Sequence, residues 1–277
     1  MYIFFKRSAI HNLLITDCYK RLSSDEVGEG IVIPKNILEK SDIVPWEQII
    51  LTKIKGDNWK NRIKTFVIPG EENGGVEARG SISSFLRPGD LVCIISRTIL
   101  DCNEVNLYRQ NLFPIFDLGF DPFLNKNNLI TPRLDVEYFD RKEKDVKIYK
   151  NLIQKRNKFK RIYLQSLILG LKVNKTNPDC LQGSAELPGL IMEKAEIQKF
   201  QSVTVYNFSK GGAADTYAVP MPPGVVMTTG AMARLAKVGE TVSVATYTIG
   251  DKFISPKIVF TDGSAFSGTI KALSGFF

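Results

Sequence analysis

The stretch GSAELPGLIMEKAEIQKFQSVTV (183–205), followed by DTYAVPMPPGVVMTTGAMARL (215–235) and AKVGETVSVATY (236–247), decides the fold of this chain. Short runs rich in β-branched residues alternate here with turns that contain Gly or Pro. Few segments are long enough for a helix. Many short strands at regular spacing with few helical segments predict a small β-barrel or a β-sandwich.

An earlier part of the chain has the same order of segments: IVIPKNILEKSDIVPWEQI (31–49), KTFVIPGEENGGVEARGS (64–81) and LRPGDLVCIISR (86–97). Thr65-Phe66 corresponds to Thr216-Tyr217, and Pro88-Gly89-Asp90 to Val238-Gly239-Glu240. Self-similarity of this kind indicates two copies of one structural unit. We call the two units copy 1 and copy 2.

The copies differ at one position that matters for chemistry. Copy 2 has Gly183-Ser184 where copy 1 has Glu29-Gly30. A serine after a glycine can attack the preceding carbonyl group, whereas a glycine in its place cannot. Only copy 2 therefore retains a potential backbone-cleavage site.

Three regions follow from the repeat. Residues 1–98 are predicted to form the first barrel, residues 99–157 an insertion, the C-terminal segment of copy 1 and a charged linker, and residues 158–277 the second barrel. The segment Thr131–Asp140 resembles Ser255–Asp262. The charged stretch from Asp140 to Lys160 is typical of a solvated helix or linker.

Composition and charge exclude several classes of protein. The 277 residues are 44% hydrophobic and 24% charged, with a net charge of +8. No residue run has the length of a transmembrane helix, and no secretory signal is recognisable. The four cysteines, Cys18, Cys93, Cys102 and Cys180, lack CxxC spacing and are typical of reduced thiols in a cytoplasmic protein. From composition and motifs together we expect a protein that binds no metal, membrane or nucleic acid.

The chain resembles the pyruvoyl-dependent aspartate 1-decarboxylase family. The resemblance is carried by Ile10-His11, Gly183-Ser184, Asp215–Pro220, Thr229-Gly230-Ala231 and Val238-Gly239-Glu240, with Thr229 where the family has asparagine. The resemblance implies a mainly β fold of two tandem six-stranded double-psi β-barrels with short helices. It also implies a homodimer in which four barrels form a ring.

The resemblance further implies a covalent cofactor made from the chain itself. Ser184 would attack the carbonyl carbon of Gly183, and the resulting ester would break down to a pyruvoyl group in place of Ser184. Such a carbonyl forms a Schiff base with the substrate amine and accepts electrons on loss of CO₂. Thr216 is implied as the oxyanion donor, Tyr217 as the proton donor, and the amides of Gly230 and Ala231 as substrate contacts.

Carboxylate binding in this family uses a lysine before the Ile-His pair and an arginine three residues before the threonine. In copy 1 we place Ala9 at the lysine position but find Arg62 and His11 retained. In copy 2 we place Arg161 at the lysine position, with Tyr163 and Ala213 for the histidine and arginine. The predicted site is therefore composite: Ser184, Thr216 and Tyr217 from copy 2, with Arg62 and His11 from copy 1, and with Arg161 as a further candidate.

The most direct functional prediction is conversion of L-aspartate to β-alanine and CO₂. Ala9 and Leu181 depart from the family pattern, which leaves another amino acid open as the substrate. A non-catalytic double-barrel binding protein is a second alternative, and a nucleic-acid-binding protein that uses the basic linker is a third. Cleavage at Gly183-Ser184 is expected either unaided or with a separate maturation factor.

Overall fold

The computed structural model describes residues 2–20, 27–54, 62–101, 130–131 and 160–271 of the chain. The insertion and the charged linker of the sequence analysis lie outside these residues, apart from their ends. Within the described residues, no helix has the length and apolar character required to span a lipid bilayer. The same residues contain no group of three or more His, Cys, Asp or Glu side chains that is arranged to hold a metal ion.

The protein is mainly β, as predicted. Copy 1 contains β1 Tyr2–Leu14, β2 Asp17–Tyr19, β3 Gly30–Pro34, α1 Lys35–Ser41, β4 Gln48–Lys53, β5 Arg62–Gly70, β6 Glu77–Arg79, a 3₁₀ helix Gly80–Ser84 and β7 Leu91–Asp101, followed by β8 Ile130–Thr131. Copy 2 contains β9 Lys160–Lys172, β10 Lys175–Asn177, β11 Ala185–Pro188, α2 Gly189–Lys194, β12 Ser202–Asn207, β13 Ala213–Met221, β14 Met227–Thr229, α3 Met232–Leu235 and β15 Thr241–Gly250. A hairpin of β16 Lys257–Gly263 and β17 Ala265–Lys271 follows copy 2.

The two copies share one strand-pairing pattern. In copy 1, β3 is parallel to β5 and antiparallel to β6, β4 is antiparallel to β5 and β7, and β1 is antiparallel to β7. In copy 2, β11, β13, β14, β12, β15 and β9 pair in the same way. A short break separates β1 from β2 in copy 1 and β9 from β10 in copy 2. When each of these pairs is counted as one strand, each copy has the six strands that were predicted.

The short helix in each copy begins where a proline ends a strand. Pro34 is the last residue of β3 and Pro188 the last residue of β11. Proline has no backbone N–H to donate to a sheet but tolerates a position at the start of a helix. α1 and α2 therefore begin at equivalent positions of the two copies.

Each barrel has its own core, and a third cluster joins them. The copy 1 core includes Ile31, Ile49 and Val92, and the copy 2 core includes Ala185, Val203 and Val242. The joining cluster combines residues of both copies: Val27, Val32, Trp46, Phe66 and Ile68 from copy 1, and Leu164, Leu167, Leu169, Tyr206, Ala245 and Ile258 from copy 2 and its C-terminal hairpin. Burial of this apolar surface stabilises the contact between the barrels.

Backbone bonds continue across the contact. The Leu164 N–H donates to the Trp46 carbonyl oxygen at 2.8 Å. β7 also pairs with β9 through Thr98 and Arg161. The two barrels are therefore joined by a sheet as well as by side chains.

A buried cluster of charges lies at this contact. Glu47 is fully buried and accepts hydrogen bonds from Arg7 at 2.7 and 2.9 Å and from Arg161 at 3.1 Å. Asp42 pairs with the same two arginines, and its bond from Arg161 is 3.0 Å. The basic groups balance the acidic groups, which a buried charge requires.

The strand registers correct one correspondence of the sequence analysis. In copy 1, Ala9 pairs with Ile95. The counterpart of Ile95 in copy 2 is Ala245, and Ala245 pairs with Leu167. The lysine position of copy 2 is therefore Leu167, and the placement of Arg161 there was wrong by six residues. By the same register Leu169, and not Tyr163, corresponds to His11. The error arose because both segments precede an apolar run, and the letters do not show which residue of that run pairs with Ala245.

We predict that Glu47→Gln destabilises the protein by about 3–5 kcal/mol, because it leaves two buried arginines with one carboxylate fewer. Denaturant unfolding followed by tryptophan fluorescence measures the change. Glu196→Gln is the matched control, because Glu196 pairs with Lys257 on the surface and its loss costs about 1 kcal/mol or less. Equal effects of the two substitutions would contradict a structural role for the buried cluster.

Candidate active site

Gly183-Ser184 lies where three strands of copy 2 meet. Strand β11 begins at Ala185, which pairs with Ala218 of the parallel strand β13 and with Thr228 of the antiparallel strand β14. The residues just before β11 are therefore held between the strand that carries Thr216 and the strand that ends at Thr229. Ser184 is 9% exposed and is classed among the buried polar residues.

The acyl oxygen of the Gly183-Ser184 bond has a hydroxyl donor. Thr216 Oγ1 donates to the Gly183 carbonyl oxygen at 2.7 Å. The threonine can therefore stabilise negative charge that develops on this oxygen when its carbon is attacked. The predicted position of Thr216 beside the cleavage bond is thus observed.

Thr229 holds the serine on its other side. Thr229 Oγ1 lies 2.8 Å from Ser184 Oγ and accepts from the Ser184 N–H at 2.9 Å. The same hydroxyl donates to the Gln182 carbonyl oxygen at 2.9 Å. Each hydroxyl has a single proton, so the Ser184 hydroxyl can donate either to Thr229 or to Glu186 Oε1, which lies 3.4 Å away.

The turn at Gly230 packs closely against the backbone around Gly183. Gly230 has φ of 51°, and a Cβ there would lie 2.7 Å from the Cys180 carbonyl oxygen. A side chain at Gly183 would lie 3.4 Å from the Ala231 nitrogen, so this amide faces the glycine at close range. Gly230 and Ala231 are thus adjacent to the cleavage bond, as the sequence predicted.

Tyr217 occupies the opposite face of β13 from Thr216. Successive residues of a strand point to opposite sides, so Thr216 points to Gly183 while Tyr217 points outward. Tyr217 is 58% exposed in the single chain. Its predicted role as a proton donor requires a surface that covers this outer face.

Copy 1 fills the equivalent site with a carboxylate. Glu29 is fully buried, and its carboxylate accepts from the Ser81 N–H at 3.1 Å and from Ser81 Oγ at 2.5 Å. By strand register, Glu29 corresponds to Gly183 and Ser81 to Ala231. The space that Gly183 leaves open beside Ala231 is therefore occupied by an acidic side chain in copy 1.

The threonine of copy 1 has lost its acceptor. Among the described residues, Thr65 Oγ1 is buried without a hydrogen-bond partner. Thr65 corresponds to Thr216, which bonds to the Gly183 oxygen. Copy 1 thus retains one element of the cleavage geometry but neither the serine nor the bond that would be cut.

Arg62 and His11 lie in one row across four strands of copy 1. Arg62 of β5 is opposite Thr52 of β4, and Thr52 is opposite Cys93 of β7. Cys93 Sγ is 3.4 Å from His11 Nδ1. Directly opposed residues share a face, so Arg62, Thr52, Cys93 and His11 form one outward-facing row, which we call the cross-strand row.

Arg97 adds positive charge close to Arg62. Burial first, and then the neighbouring Arg62 charge, lower the pKa of Arg97, while Asp215 of copy 2 opposes that shift. Arg62 and Asp215 also line a cleft between the copies, in which Lys64 pairs with Asp215. The outer face of copy 1 is therefore cationic near the predicted carboxylate binder.

Several site residues escaped the sequence analysis. Thr229 had been noted only as a departure from asparagine, and Glu186, Glu29 and Arg97 had no assigned role. The signal for Glu29 was available, because a charged residue stood at a glycine position of the repeat. Arg161, in contrast, lies in the charge cluster between the barrels, bonded to Asp42 and Glu47.

Comparison with known proteins agrees with a tandem duplication of one decarboxylase domain. The sequence model of the family described as aspartate decarboxylase matches residues 1–115 and 159–265. A relative named aspartate 1-decarboxylase from Thermoanaerobacter pseudethanolicus is 36% identical over 126 residues, covering 45% of this chain and 93% of the relative. Another of that name from Clostridium botulinum is 33% identical over 130 residues, covering 47% and 90% respectively.

The class defined by these findings is a decarboxylase of the carboxy-lyase type, built on double-psi β-barrels. The chain belongs to the aspartate decarboxylase family, because the family model matches it in two regions that together exceed half its length. Each relative covers less than half of the chain, as expected for single-copy proteins aligned to a tandem duplication.

The buried Glu29 makes stability depend on pH. Burial raises the pKa of Glu29 from 4.5 to about 7. Between these values the folded chain holds a proton that the unfolded chain has lost, so stability falls as the pH rises from about 4.5 to about 7.

We predict that wild type loses about 3 kcal/mol across this range relative to Glu29→Gln, which has no proton to release. Urea unfolding of both proteins at pH 5 and pH 8 measures the difference, in which the other titrating groups cancel. Parallel stability curves for the two proteins would show that Glu29 does not titrate in this range.

Proposed function

We propose that this protein is a self-processing, pyruvoyl-dependent α-decarboxylase that converts L-aspartate to β-alanine and CO₂. The observation that carries the proposal is the bond from Thr216 Oγ1 to the Gly183 carbonyl oxygen, 2.7 Å, beside a serine held by Thr229. The names of the relatives supply the reaction class and the substrate.

The residues around Gly183-Ser184 fit the formation of a pyruvoyl group. Ser184 Oγ attacks the Gly183 carbonyl carbon, the peptide C–N bond breaks, and the acyl group passes from nitrogen to oxygen. Thr216 stabilises the oxygen that becomes negative in this step. Elimination of the ester then releases the Gly183 carboxylate and leaves dehydroalanine at position 184. Hydrolysis by water releases ammonia and leaves a pyruvoyl group, whose carbonyl accepts the electrons released when CO₂ departs.

The substrate-binding residues proposed are Arg62 and His11, with the amides of Gly230 and Ala231. Glu29 of copy 1 supports the amide contact, because its carboxylate is bound by the Ser81 amide at the position equivalent to Ala231. Arg62, with Arg97 nearby, supplies positive charge for a second carboxylate. The corrected register removes the reason to place Arg161 among the substrate contacts.

The site of copy 2 is uncovered in the single chain. Val27, Trp46 and Phe66 of copy 1 are 7%, 5% and 0% exposed, because copy 2 packs on them. Their counterparts in copy 2, Leu181, Phe200 and Tyr217, are 103%, 63% and 58% exposed. A large exposed apolar face of this kind is typical of a protein interface.

The contact inside the chain shows what fits such a face. Four residues of copy 2 face copy 1: Tyr206, Leu169 and the adjacent Ala213 pack against its apolar face, and Ser243 approaches Glu29. In that order they are the counterparts of Thr52, His11, Arg62 and Cys93 in the cross-strand row of copy 1. The row of one copy thus covers the site of the other, and the contact is heterologous.

The same contact, repeated between two chains, completes the site. The uncovered Ser184 face of one chain receives the cross-strand row of a second chain, which brings Arg62 and His11 to Ser184. A heterologous contact that closes after four barrels gives a homodimeric ring with two active sites. Each active site then contains Ser184 from one chain and Arg62 from its partner.

One observation favours a different amino acid as substrate. The family's lysine is Ala9 in copy 1 and Leu167 in copy 2, so one cationic group is missing from either row. A side chain less acidic than that of aspartate would require one ion pair fewer. Measurement of CO₂ release from a panel of amino acids distinguishes the two substrates.

We predict that purified wild type is cut into residues 1–183 and 184–277, with a pyruvoyl group at the start of the second fragment. Ser184→Ala should remain one chain without decarboxylase activity, because no hydroxyl is present to attack Gly183. Intact-mass measurement detects both results. A wild-type chain that stays intact would instead favour a non-catalytic binding protein or dependence on a maturation factor, which addition of cell extract tests.

We predict that Arg62→Ala chains are cleaved but bind substrate weakly, and that co-production with Ser184→Ala chains restores activity. A mixed dimer has one site with an intact serine and an intact partner arginine. Random pairing then gives about one quarter of the wild-type number of sites.

The control replaces the Ser184→Ala chain with the Ser184→Ala/Arg62→Ala chain, which has no arginine to contribute. This mixture should stay inactive. If the first mixture also recovers no activity while both chains fold, Arg62 does not act from the partner chain.

A further inference from the structure

In copy 2 an acidic residue, Glu186, lies beside the serine of the Gly183-Ser184 pair. Ser184 Oγ donates to Glu186 Oε1 at 3.4 Å. Glu186 lies two residues along β11, so the two side chains share one face of the strand. The residue at this position in copy 1 is Val32, which is buried in the cluster between the barrels.

Attack by Ser184 requires removal of a proton. A serine hydroxyl is a weak nucleophile until a neighbouring base accepts its proton. Thr216 is committed as a donor to Gly183, and Thr229 donates to Gln182. Among the hydrogen-bond partners described for Ser184 Oγ, Glu186 is the group that can act as a base.

We propose that Glu186 is the general base that activates Ser184 for cleavage of the chain. This inference rests on the proposed function and extends it to a catalytic residue of the cleavage step. The bond of 3.4 Å is long for a hydrogen bond, as is common for catalytic pairs before they reach the reacting geometry.

The proton balance of the step is complete. The Ser184 Oγ–H bond breaks, and its proton passes to Glu186 as Oγ forms a bond to the Gly183 carbon. Collapse of the tetrahedral species breaks the C–N bond, and the proton held by Glu186 passes to the nitrogen, which becomes the free amine of Ser184. Thr229 Oγ1 accepts from the Ser184 N–H at 2.9 Å and so holds this nitrogen in position.

The position of Glu186 also explains why copy 2 differs from copy 1 outside the Gly-Ser pair. Val32 contributes apolar area to the contact between the barrels. A carboxylate at that position would be buried without a serine to serve, which is costly. In copy 2 the same position is only partly buried in the single chain and faces the site that must be processed.

The test measures cleavage, not decarboxylation. Full-length chains are purified unprocessed, and the appearance of residues 184–277 is followed by gel and intact mass across a pH series. We expect Glu186→Gln to slow cleavage about 100-fold, because an amide cannot accept the proton of Ser184. Glu193→Gln, on the exposed side of α2, is the matched control and should cleave as wild type does.

Two further variants separate chemistry from structure. Glu186→Ala should be slow in plain buffer and faster with added formate, because the small carboxylate replaces the missing base. Glu186→Val carries the residue of copy 1 at this position and should fold but cleave slowly. A structural role would show no rescue by formate.

The outcomes distinguish the two proposals. If Glu186→Gln cleaves at the wild-type rate while Ser184→Ala does not cleave, Glu186 is not the base and the proposed function stands. If wild type does not cleave under any of these conditions, with or without added cell extract, both proposals are overturned. Cleavage of Glu186→Ala that is slow and insensitive to formate would overturn the base assignment alone.

Discussion

The packing of the Glu29 face of copy 1 against copy 2 is the contact on which the rest of the structure depends. It buries Phe66, Trp46 and Val27 of copy 1 under Tyr206 and Leu169 of copy 2. The contact joins unlike surfaces, so it leaves one surface of each kind uncovered on the chain. The uncovered surface of copy 2 contains Ser184, and the uncovered surface of copy 1 contains Arg62. The Gly183-Ser184 bond therefore lies in the copy whose equivalent face is not covered within the chain.

The loss of the serine in copy 1 is linked to this burial. Glu29 bonds to Ser81, and burial raises the pKa of its carboxyl to about 7, so near neutral pH it is partly protonated. Its bonds to Ser81 satisfy polar groups that would otherwise be buried without partners. Copy 1 thus fills with a buried carboxylate the position that is Gly183 in copy 2. In copy 2 a Cβ at Gly183 would lie 3.4 Å from the Ala231 nitrogen, so the glycine leaves this space open.

The fold could be predicted from the sequence to a considerable extent. The repeat, the alternation of short strands with turns and the positions of Thr216 and Gly230 beside Gly183-Ser184 all agree with the structure. These features depend on local signals, such as proline at the end of a strand and the spacing of turns. The alignment of β1 with β9 failed, because the apolar run of β9 allows several alignments and only its pairing with β15 selects the right one.

The composite site could be predicted only in part, for a reason of geometry. The odd spacing of Arg62 and Thr65 indicates that the two side chains face opposite sides of β5, and the burial pattern of the strand agrees. The letters do not show that the row containing Arg62 is the counterpart of the row that covers Glu29. That relation requires the paired registers of four strands in each copy. The same registers place apolar Ala213 and Leu169 in the row of copy 2 that packs on copy 1, and polar Arg62 and His11 at the equivalent positions of copy 1. The two rows therefore differ in chemistry, although they occupy equivalent strands.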